Sequence, residues 1–371
     1  MNVCLDIQAA LGQRAGVGRY VRELLWHLGA EAGADVLSAF YFDFKRTGLD
    51  AAPPGVELRS CRWLPGRVAQ ASWKRFGFPA YDRLAGAADL YHFPNFIRPP
   101  LSRGRQSVVT IHDVSFLRMP ETTEAKNLAW LRAEIHRTAE QADAILTDSR
   151  FSAREIRELL DVPESKVFPV WLGLPEFGPP PSPEAVAQAR KALGLDKPYL
   201  LMVGTIEPRK NVPFLVKVYE ALEDFDGDLA LAGGLGWKVG PTLRAMADSP
   251  RRSGIRMLRH LDDAKLSALY AGASAFVYPT RYEGFGFPPL EAMGRGAPVV
   301  AARNSSLPEV LGDAAEWVDG YDAEEWAQKI RSVLNDPARA ARLRSAGFEQ
   351  AKKFTWAETA KQTWSVYRAL G

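Results

Sequence analysis

Gly173-Leu174-Pro175-Glu176-Phe177-Gly178-Pro179-Pro180-Pro181-Ser182-Pro183 packs five prolines into eleven residues. Proline has no amide hydrogen and a locked φ, so this stretch fits neither helix nor sheet and reads as a hinge between two domains. On its N-terminal side, short apolar runs alternate with amphipathic stretches, and strands are expected at 2–7, 36–42, 89–93, 107–111, 144–147 and 167–171. Helices are expected at 19–28, where Tyr20, Leu24, Leu25 and Leu28 recur at helical spacing, and at 149–160 behind capping serines. Beyond the hinge the alternation restarts. Strands are expected at 199–205, 229–232, 255–258, 275–279 and 298–301, with helices at 213–222, 242–247, 262–271 and 288–293 and two long helical patterns after Asp322. Buried strands alternating with helices give an α/β class, two doubly wound parallel-sheet domains facing a cleft. The domains run 1–172 and 184–355, and ligands of such sheets bind at the carboxyl ends of the strands.

Composition narrows the function class. The 371 residues are 47% hydrophobic and 25% charged, the make-up of a globular chain. No run of apolar residues is long enough to span a bilayer, and the N-terminus lacks a signal-peptide pattern, so a cytoplasmic location is expected. Two cysteines, Cys4 and Cys61, build no disulfide framework and no metal-ligand spacing. A net charge of +3 argues against nucleic acid as a partner. His92 reads as a satisfied core or cleft-wall residue, and His27, His136 and His260 lack the neighbours of a metal site.

Several loops at strand carboxyl ends carry chemistry. Gly16 and Gly18 follow the first strand and open a helix, where free amides suit an anion or simply a tight turn. Gly204-Thr205-Ile206-Glu207-Pro208-Arg209-Lys210-Asn211 sets two adjacent cations beside a helix start. A forked guanidinium and a point-charge ammonium suit a diphosphate. In Tyr282-Glu283-Gly284-Phe285-Gly286-Phe287-Pro288-Pro289-Leu290-Glu291, the glycines admit a ligand close to backbone amides. Glu283 in the loop and Glu291 in the first helical turn stand eight positions apart, two acceptors suited to sugar or ribose hydroxyls. His112 and Asp113 follow the expected strand 107–111. His112 suits an acid, base or hydrogen-bond donor, and Asp113 suits the role of its orienter, of a hydrogen-bond acceptor for a substrate hydroxyl, or of an Asx turn. Asp224-Phe225-Asp226-Gly227-Asp228 has acidic spacing used by metal-dependent sugar transferases. It precedes a strand, which places it at the opposite edge as a turn.

Taken together, these residues resemble the retaining glycosyltransferases of family 4, whose GT-B fold has two Rossmann-like domains. The resemblance covers nearly the whole chain, through Gly16-Val17-Gly18-Arg19-Tyr20, Thr147-Asp148-Ser149-Arg150-Phe151-Ser152, the Arg209-Lys210 loop, Glu283 to Glu291, and Asn304-Ser305-Ser306-Leu307-Pro308-Glu309-Val310. It implies an acceptor-binding first domain and a nucleotide-sugar-binding second one. Arg209 and Lys210 then hold the diphosphate, Glu291 the ribose and Glu283 a hydroxyl of the donated sugar. Gly18, Gly204, Glu207, Phe285 and Gly286 lie beside the nucleotide-sugar, Gly16 near the distal phosphate, His112 on the transferred sugar, and Tyr20 and Asp113 toward the acceptor. No cofactor and no metal are implied. The local wording at Tyr91-His92-Phe93-Pro94-Asn95-Phe96 and Thr110-Ile111-His112-Asp113 is most similar to bacterial mannosyl- and rhamnosyltransferases of surface-polysaccharide assembly. GDP-mannose is the first expected donor, with UDP- and dTDP-sugars and GDP-rhamnose as alternatives, and a glycan or polyprenyl-diphosphate-linked molecule is the expected acceptor. Sugar-nucleotide epimerases, glycogen-type phosphorylases and a non-catalytic sugar-nucleotide-binding subunit share the architecture. The resemblance also implies that the last helix, 356–371, crosses back to the first domain.

Residues 59–118 carry ten arginines and lysines against three aspartates, with Trp63, Trp73, Phe76 and Phe78 interleaved. This pattern suits the anionic inner leaflet and a lipid-diphosphate acceptor, which makes peripheral membrane association an expectation. A solvated face over core aromatics is the alternative.

Overall fold

The structure is a computed structural model that describes residues 1–12, 16–46, 48–49, 51–175, 178–259 and 261–371. His260 and part of the proline-rich stretch, Glu176 and Phe177, lie outside the described residues. Two compact units emerge: Met1–Leu117 with Lys126–Pro175 and Thr355–Gly371, and Arg118–Ala125 with Glu176–Phe354. The inclusion of Arg118–Ala125 in the second unit was not expected from sequence. Two side chains hold that segment there: Trp237 donates its indole N–H to the Thr122 carbonyl at 2.6 Å, and Lys238 Nζ donates to the Glu121 carbonyl at 2.7 Å.

The first unit is built on β1 (Asn2–Asp6), β2 (Val36–Phe42), β3 (Glu57–Cys61), β4 (Leu90–Phe93), β5 (Gln106–Thr110), β6 (Ala144–Thr147) and β7 (Val167–Pro169). All neighbours pair parallel in the order β3-β2-β1-β4-β5-β6-β7. The order reverses between β1 and β4, so a crevice opens at their carboxyl ends. Strands β1, β4, β5 and β6 are almost wholly buried, as continuous apolar runs covered on both faces must be. Unexpected from sequence were β3, mostly exposed as Glu-Leu-Arg-Ser-Cys, and the helices Gly66–Phe76 and Ala125–Gln141. The helix Trp356–Leu370 belongs to this unit and lies on the helix Val17–Glu31, with Trp364 donating its indole N–H to the Leu28 carbonyl at 3.0 Å. Gly173 is required where this helix begins, because a Cβ there would meet the Trp356 amide nitrogen at 2.1 Å.

The second unit repeats the plan with β8 (Tyr199–Val203), β9 (Asp228–Ala232), β10 (Ile255–Leu258), β11 (Ala275–Tyr278), β12 (Val299–Ala302) and β13 (Ala315–Val318). Its order is β10-β9-β8-β11-β12-β13, reversing between β8 and β11. Of these, β13 was not expected. The acidic turn ahead of β9 is neutralised within the protein: Asp224 pairs with Arg331 at 2.9 Å, Asp226 with Lys197 at 2.5 Å and Asp228 with Arg256 at 3.4 Å. No helix among the described residues is long and apolar enough to cross a membrane.

Candidate functional site

In the second unit, the loops after β8 and β11 meet at the point of strand reversal. The β8 loop ends in a single helical turn, Pro208–Lys210, and Asn211 turns left-handed at φ 59° to start the helix Val212–Ala221. Lys210 is thereby turned inward and buried. Its Nζ donates to Glu283 Oε1 at 2.6 Å and to the Tyr278 hydroxyl at 2.7 Å. Arg209 donates through Nη1 to Glu283 Oε2 at 3.0 Å and to the Tyr282 carbonyl at 2.8 Å. Its Nε and Nη2 both donate to Glu207 Oε1, at 3.1 and 2.8 Å. Two cations and two carboxylates thus share one buried cluster.

Glu283 is the hub. Besides both cations, its Oε1 accepts from Thr280 Oγ1 at 2.7 Å and from the Tyr278 hydroxyl at 3.1 Å. Burial alone would raise its carboxyl, but Arg209 and Lys210 overcome that and hold it down to about 2. Burial pulls the Lys210 ammonium below its ordinary value while the Glu283 charge opposes the pull. The backbone around Glu283 is pinned too: its N–H donates to Ser305 Oγ at 2.9 Å, and Ser306 Oγ donates to the Glu283 and Phe285 carbonyls, both at 2.9 Å. Sequence reading assigned Arg209 and Lys210 to a diphosphate and Glu283 to a sugar hydroxyl. The structure shows these three side chains bonded to one another.

The remaining second-unit candidates fall around this cluster. Glu291 sits in the second turn of the helix Phe287–Gly294, a correction to its expected first-turn place, because that helix starts at Phe287. It is buried and accepts from the Tyr270 hydroxyl at 2.9 Å. Gly286 has φ 105°, and a Cβ there would meet Leu307 Cδ2 at 2.6 Å. Phe285 is buried, edge-on to Phe287 and Phe354. Gly204 leaves β8 at φ 145°, its N–H bonded to the Ala232 carbonyl at 2.9 Å.

In the first unit, His112 follows β5, and its Nδ1 lies 3.0 Å from Asp148 Oδ2 while its Nε2 lies 3.2 Å from the Pro94 carbonyl. Both ring nitrogens face acceptors, so the imidazolium satisfies both. Burial lowers the His112 pKa, yet Asp148 outweighs it and the net direction is upward. Of the readings open for Asp113, the structure has the Asx turn: its Oδ1 accepts from the Ser115 N–H at 2.9 Å, and Asp148, which follows the neighbouring strand β6, bonds His112 Nδ1 in the orienter's place. Tyr20 was expected to meet an acceptor, but it is buried: its hydroxyl lies 3.0 Å from Thr110 Oγ1 and its ring stands perpendicular to His112 at 4.9 Å. His92 is buried with both nitrogens bonded, to Tyr367 at 2.6 Å and Thr110 at 2.8 Å. Gly16 precedes the helix Val17–Glu31 at φ 60° and is exposed, while Gly18 is buried in its first turn.

Two family models, a curated relative and several solved structures match the chain. Residues 14–175 match the model of Glycosyltransferase Family 4, and residues 185–350 that of Glycosyl transferases group 1. An O-antigen chain mannosyltransferase B of Escherichia coli is 35% identical over 76% of this chain and 74% of its own length. Sucrose-phosphate synthase from Thermosynechococcus elongatus superposes over 100% of this chain and 99% of its own, with a TM-score of 0.75 at 21% identity. HepE of Anabaena, solved in complex with UDP-glucose, covers 99% of this chain and 100% of its own, with a TM-score of 0.70 at 16% identity.

Proposed function

The chain belongs to the family 4 glycosyltransferases of GT-B fold, and on that premise we propose that it moves mannose from GDP-mannose to a glycan or lipid-linked acceptor, retaining the anomeric configuration and using no metal. The observation that carries the reading is the buried cluster of Arg209, Lys210 and Glu283 at the carboxyl edge of β8. A departing diphosphate needs positive charge fixed in place before the bond breaks, and a half-buried guanidinium and a buried ammonium supply it. Glu283, the carboxylate already bound to both, is the group with which the diphosphate competes. Mannose as the sugar is supported by the name of the Escherichia coli relative.

In the proposed step the bond from the anomeric carbon to the diphosphate oxygen breaks, and the acceptor hydroxyl bonds to that carbon on the same face. Its proton passes to the departing phosphate oxygen. Glu283 accepts hydrogen bonds from four side chains, which fits a positioning group better than a nucleophile. His112, held at Nδ1 by Asp148, exchanges the Pro94 carbonyl at Nε2 for a hydroxyl of the transferred sugar. Incubation with GDP-mannose, EDTA and acceptor oligosaccharides tests all of this, with the product's anomeric configuration read by NMR. An α-linked mannoside formed in EDTA is expected. An inverted product or a strict need for magnesium contradicts the mechanism.

The proposal extends to a peripheral place on the inner face of the membrane. Trp63, Phe76 and Phe78 are 70%, 75% and 59% exposed on and beside the helix Gly66–Phe76, among Arg62, Arg67 and Arg75. Apolar rings flanked by cations suit the headgroup region of an anionic bilayer. In flotation assays, binding to vesicles containing phosphatidylglycerol is expected, weakened by salt and lost in F76S/F78S. Binding that is the same with purely zwitterionic vesicles contradicts it.

A further inference from the structure

Of the two carboxylates in the buried cluster, Glu283 has a task in the proposed reaction and Glu207 has none. Glu207 is buried, and both Nε and Nη2 of Arg209 donate to its Oε1, at 3.1 and 2.8 Å. The guanidinium is therefore divided. One edge belongs to Glu207, while Nη1 serves Glu283 Oε2 and the Tyr282 carbonyl, at 3.0 and 2.8 Å. The two acids also differ in where they are rooted. Glu283 stands on the loop after β11, 74 positions from Arg209, whereas Glu207 stands on Arg209's own loop, two positions away. That loop is fixed by its neighbour after β9: the Ile206 N–H donates to the Gly234 carbonyl and the Gly236 N–H to the Ile206 carbonyl, both at 2.9 Å. The approach is so close that a Cβ at Gly233 would meet the Gly204 carbonyl oxygen at 2.1 Å, and one at Gly236 would meet Thr205 Cγ2 at 2.8 Å. The Glu207 backbone is extended, at φ −143° and ψ 163°, and its carbonyl accepts from the Lys210 N–H at 3.1 Å as the helical turn begins.

These placements separate the work of the two acids. An anion that displaces Glu283 from Lys210 and Arg209 breaks bonds made between loops and leaves those within the β8 loop as they are. A guanidinium is planar, so two bonds along one edge set the direction of its remaining nitrogen. Without that edge held, Arg209 regains rotamers at the moment it changes acceptors, and a misplacement of about 1 Å costs about 10²-fold in rate. A carboxylate fixed beside an anion site also opposes the anion by like charge. Glu207 therefore works against donor affinity, and what it contributes is alignment.

We propose that Glu207 is the positioning residue of Arg209: it holds the Nε and Nη2 edge so that Nη1 passes from Glu283 to a diphosphate oxygen while the side chain stays in place. The assignment rests on the glycosyltransferase reading above and deepens it at the same site. Because both bonds end on Oε1, the amide oxygen of glutamine can accept both, and this separates geometry from charge. Steady-state kinetics with GDP-mannose on Glu207→Ala, Glu207→Gln and Glu207→Asp, with GDP binding read by calorimetry, make the test. Glu207→Ala is expected to lower kcat about 10²-fold with the GDP dissociation constant and donor KM within about threefold of wild type. Glu207→Gln is expected to keep kcat within about threefold, and Glu207→Asp, one methylene short, to fall between the two. In an Arg209→Met background, Glu207→Ala is expected to add less than about a threefold loss, since a residue that acts through Arg209 has nothing left to position. Equal losses in Glu207→Gln and Glu207→Ala overturn the assignment in favour of a charge role, and losses that multiply in the Arg209→Met background overturn it in favour of direct substrate contact. Should Glu207→Ala fail to fold, the Glu207→Gln and Glu207→Asp comparison and a Glu207→Gln, Arg209→Met pair carry the same test. Failure of the glycosyltransferase reading registers separately, as wild-type protein that binds no GDP and neither transfers from nor hydrolyses any nucleotide-sugar.

Discussion

Lys210→Met lowers kcat by about 10²–10³-fold, the cost of removing one fixed charge from a transition state that develops charge on a departing group. Methionine keeps the length and apolar stem of lysine and its contact with the Tyr278 ring, which Lys210 Nζ approaches to 5.2 Å. The substitution leaves Glu283 with Arg209, Thr280 and Tyr278 as donors, so the loop keeps its anchor. Fold and function are therefore separable at this position: circular dichroism should be unchanged while turnover collapses. Steady-state kinetics with GDP-mannose check the expectation. A kcat within a factor of three of wild type would remove Lys210 from the chemistry.

Glu283→Ala acts in the opposite place, on stability first. It strips the shared counter-charge from Lys210 and half that of Arg209, leaving a buried ammonium with the Tyr278 hydroxyl alone. Breaking a buried pair from one side costs about 3–5 kcal/mol, because the remaining charge stays desolvated and unmatched. Urea denaturation should show that loss at neutral pH. The sign with pH follows from the depressed carboxyl: folded Glu283 titrates near 2, below its ordinary 4.5. Its contribution is fully present above pH 4.5 and is lost as the pH falls toward 2, so wild type and variant should converge in acid. A gap that persists unchanged to pH 2 would mean that the loss comes from packing and not from charge.

Much of this was legible in the sequence because it is local. The strand–loop–helix register put Arg209-Lys210 and Glu283 at carboxyl edges, and runs such as Ala275–Tyr278 read as buried strands from composition alone. What escaped is pairing across distance. Lys210 and Glu283 are 73 positions apart and His112 and Asp148 are 36 apart, separations over which no spacing rule operates. Asp148 was in view within Thr147-Asp148-Ser149, but only the adjacency of β5 and β6 shows that it meets His112. The strand β3 was missed for another reason: as an edge strand with mostly exposed side chains it has no apolar run to announce it. The aromatic stretch from Trp63 to Phe78 likewise needed helical phase. Trp73 turns in against Phe42 and Tyr81, at 5.9 and 6.0 Å between ring centres, while Phe76 turns out.

The most direct test of the claim that a donor diphosphate takes over the cations from Glu283 is the GDP-induced rise in unfolding temperature, measured for wild type, Lys210→Met and Glu283→Ala. At 100 times its dissociation constant a ligand adds about 2.7 kcal/mol, enough to read without ambiguity. The account predicts a clear shift in wild type, a much smaller one in Lys210→Met, and the largest in Glu283→Ala, where the diphosphate supplies a missing counter-charge without a competitor. Equal shifts in all three proteins would contradict it.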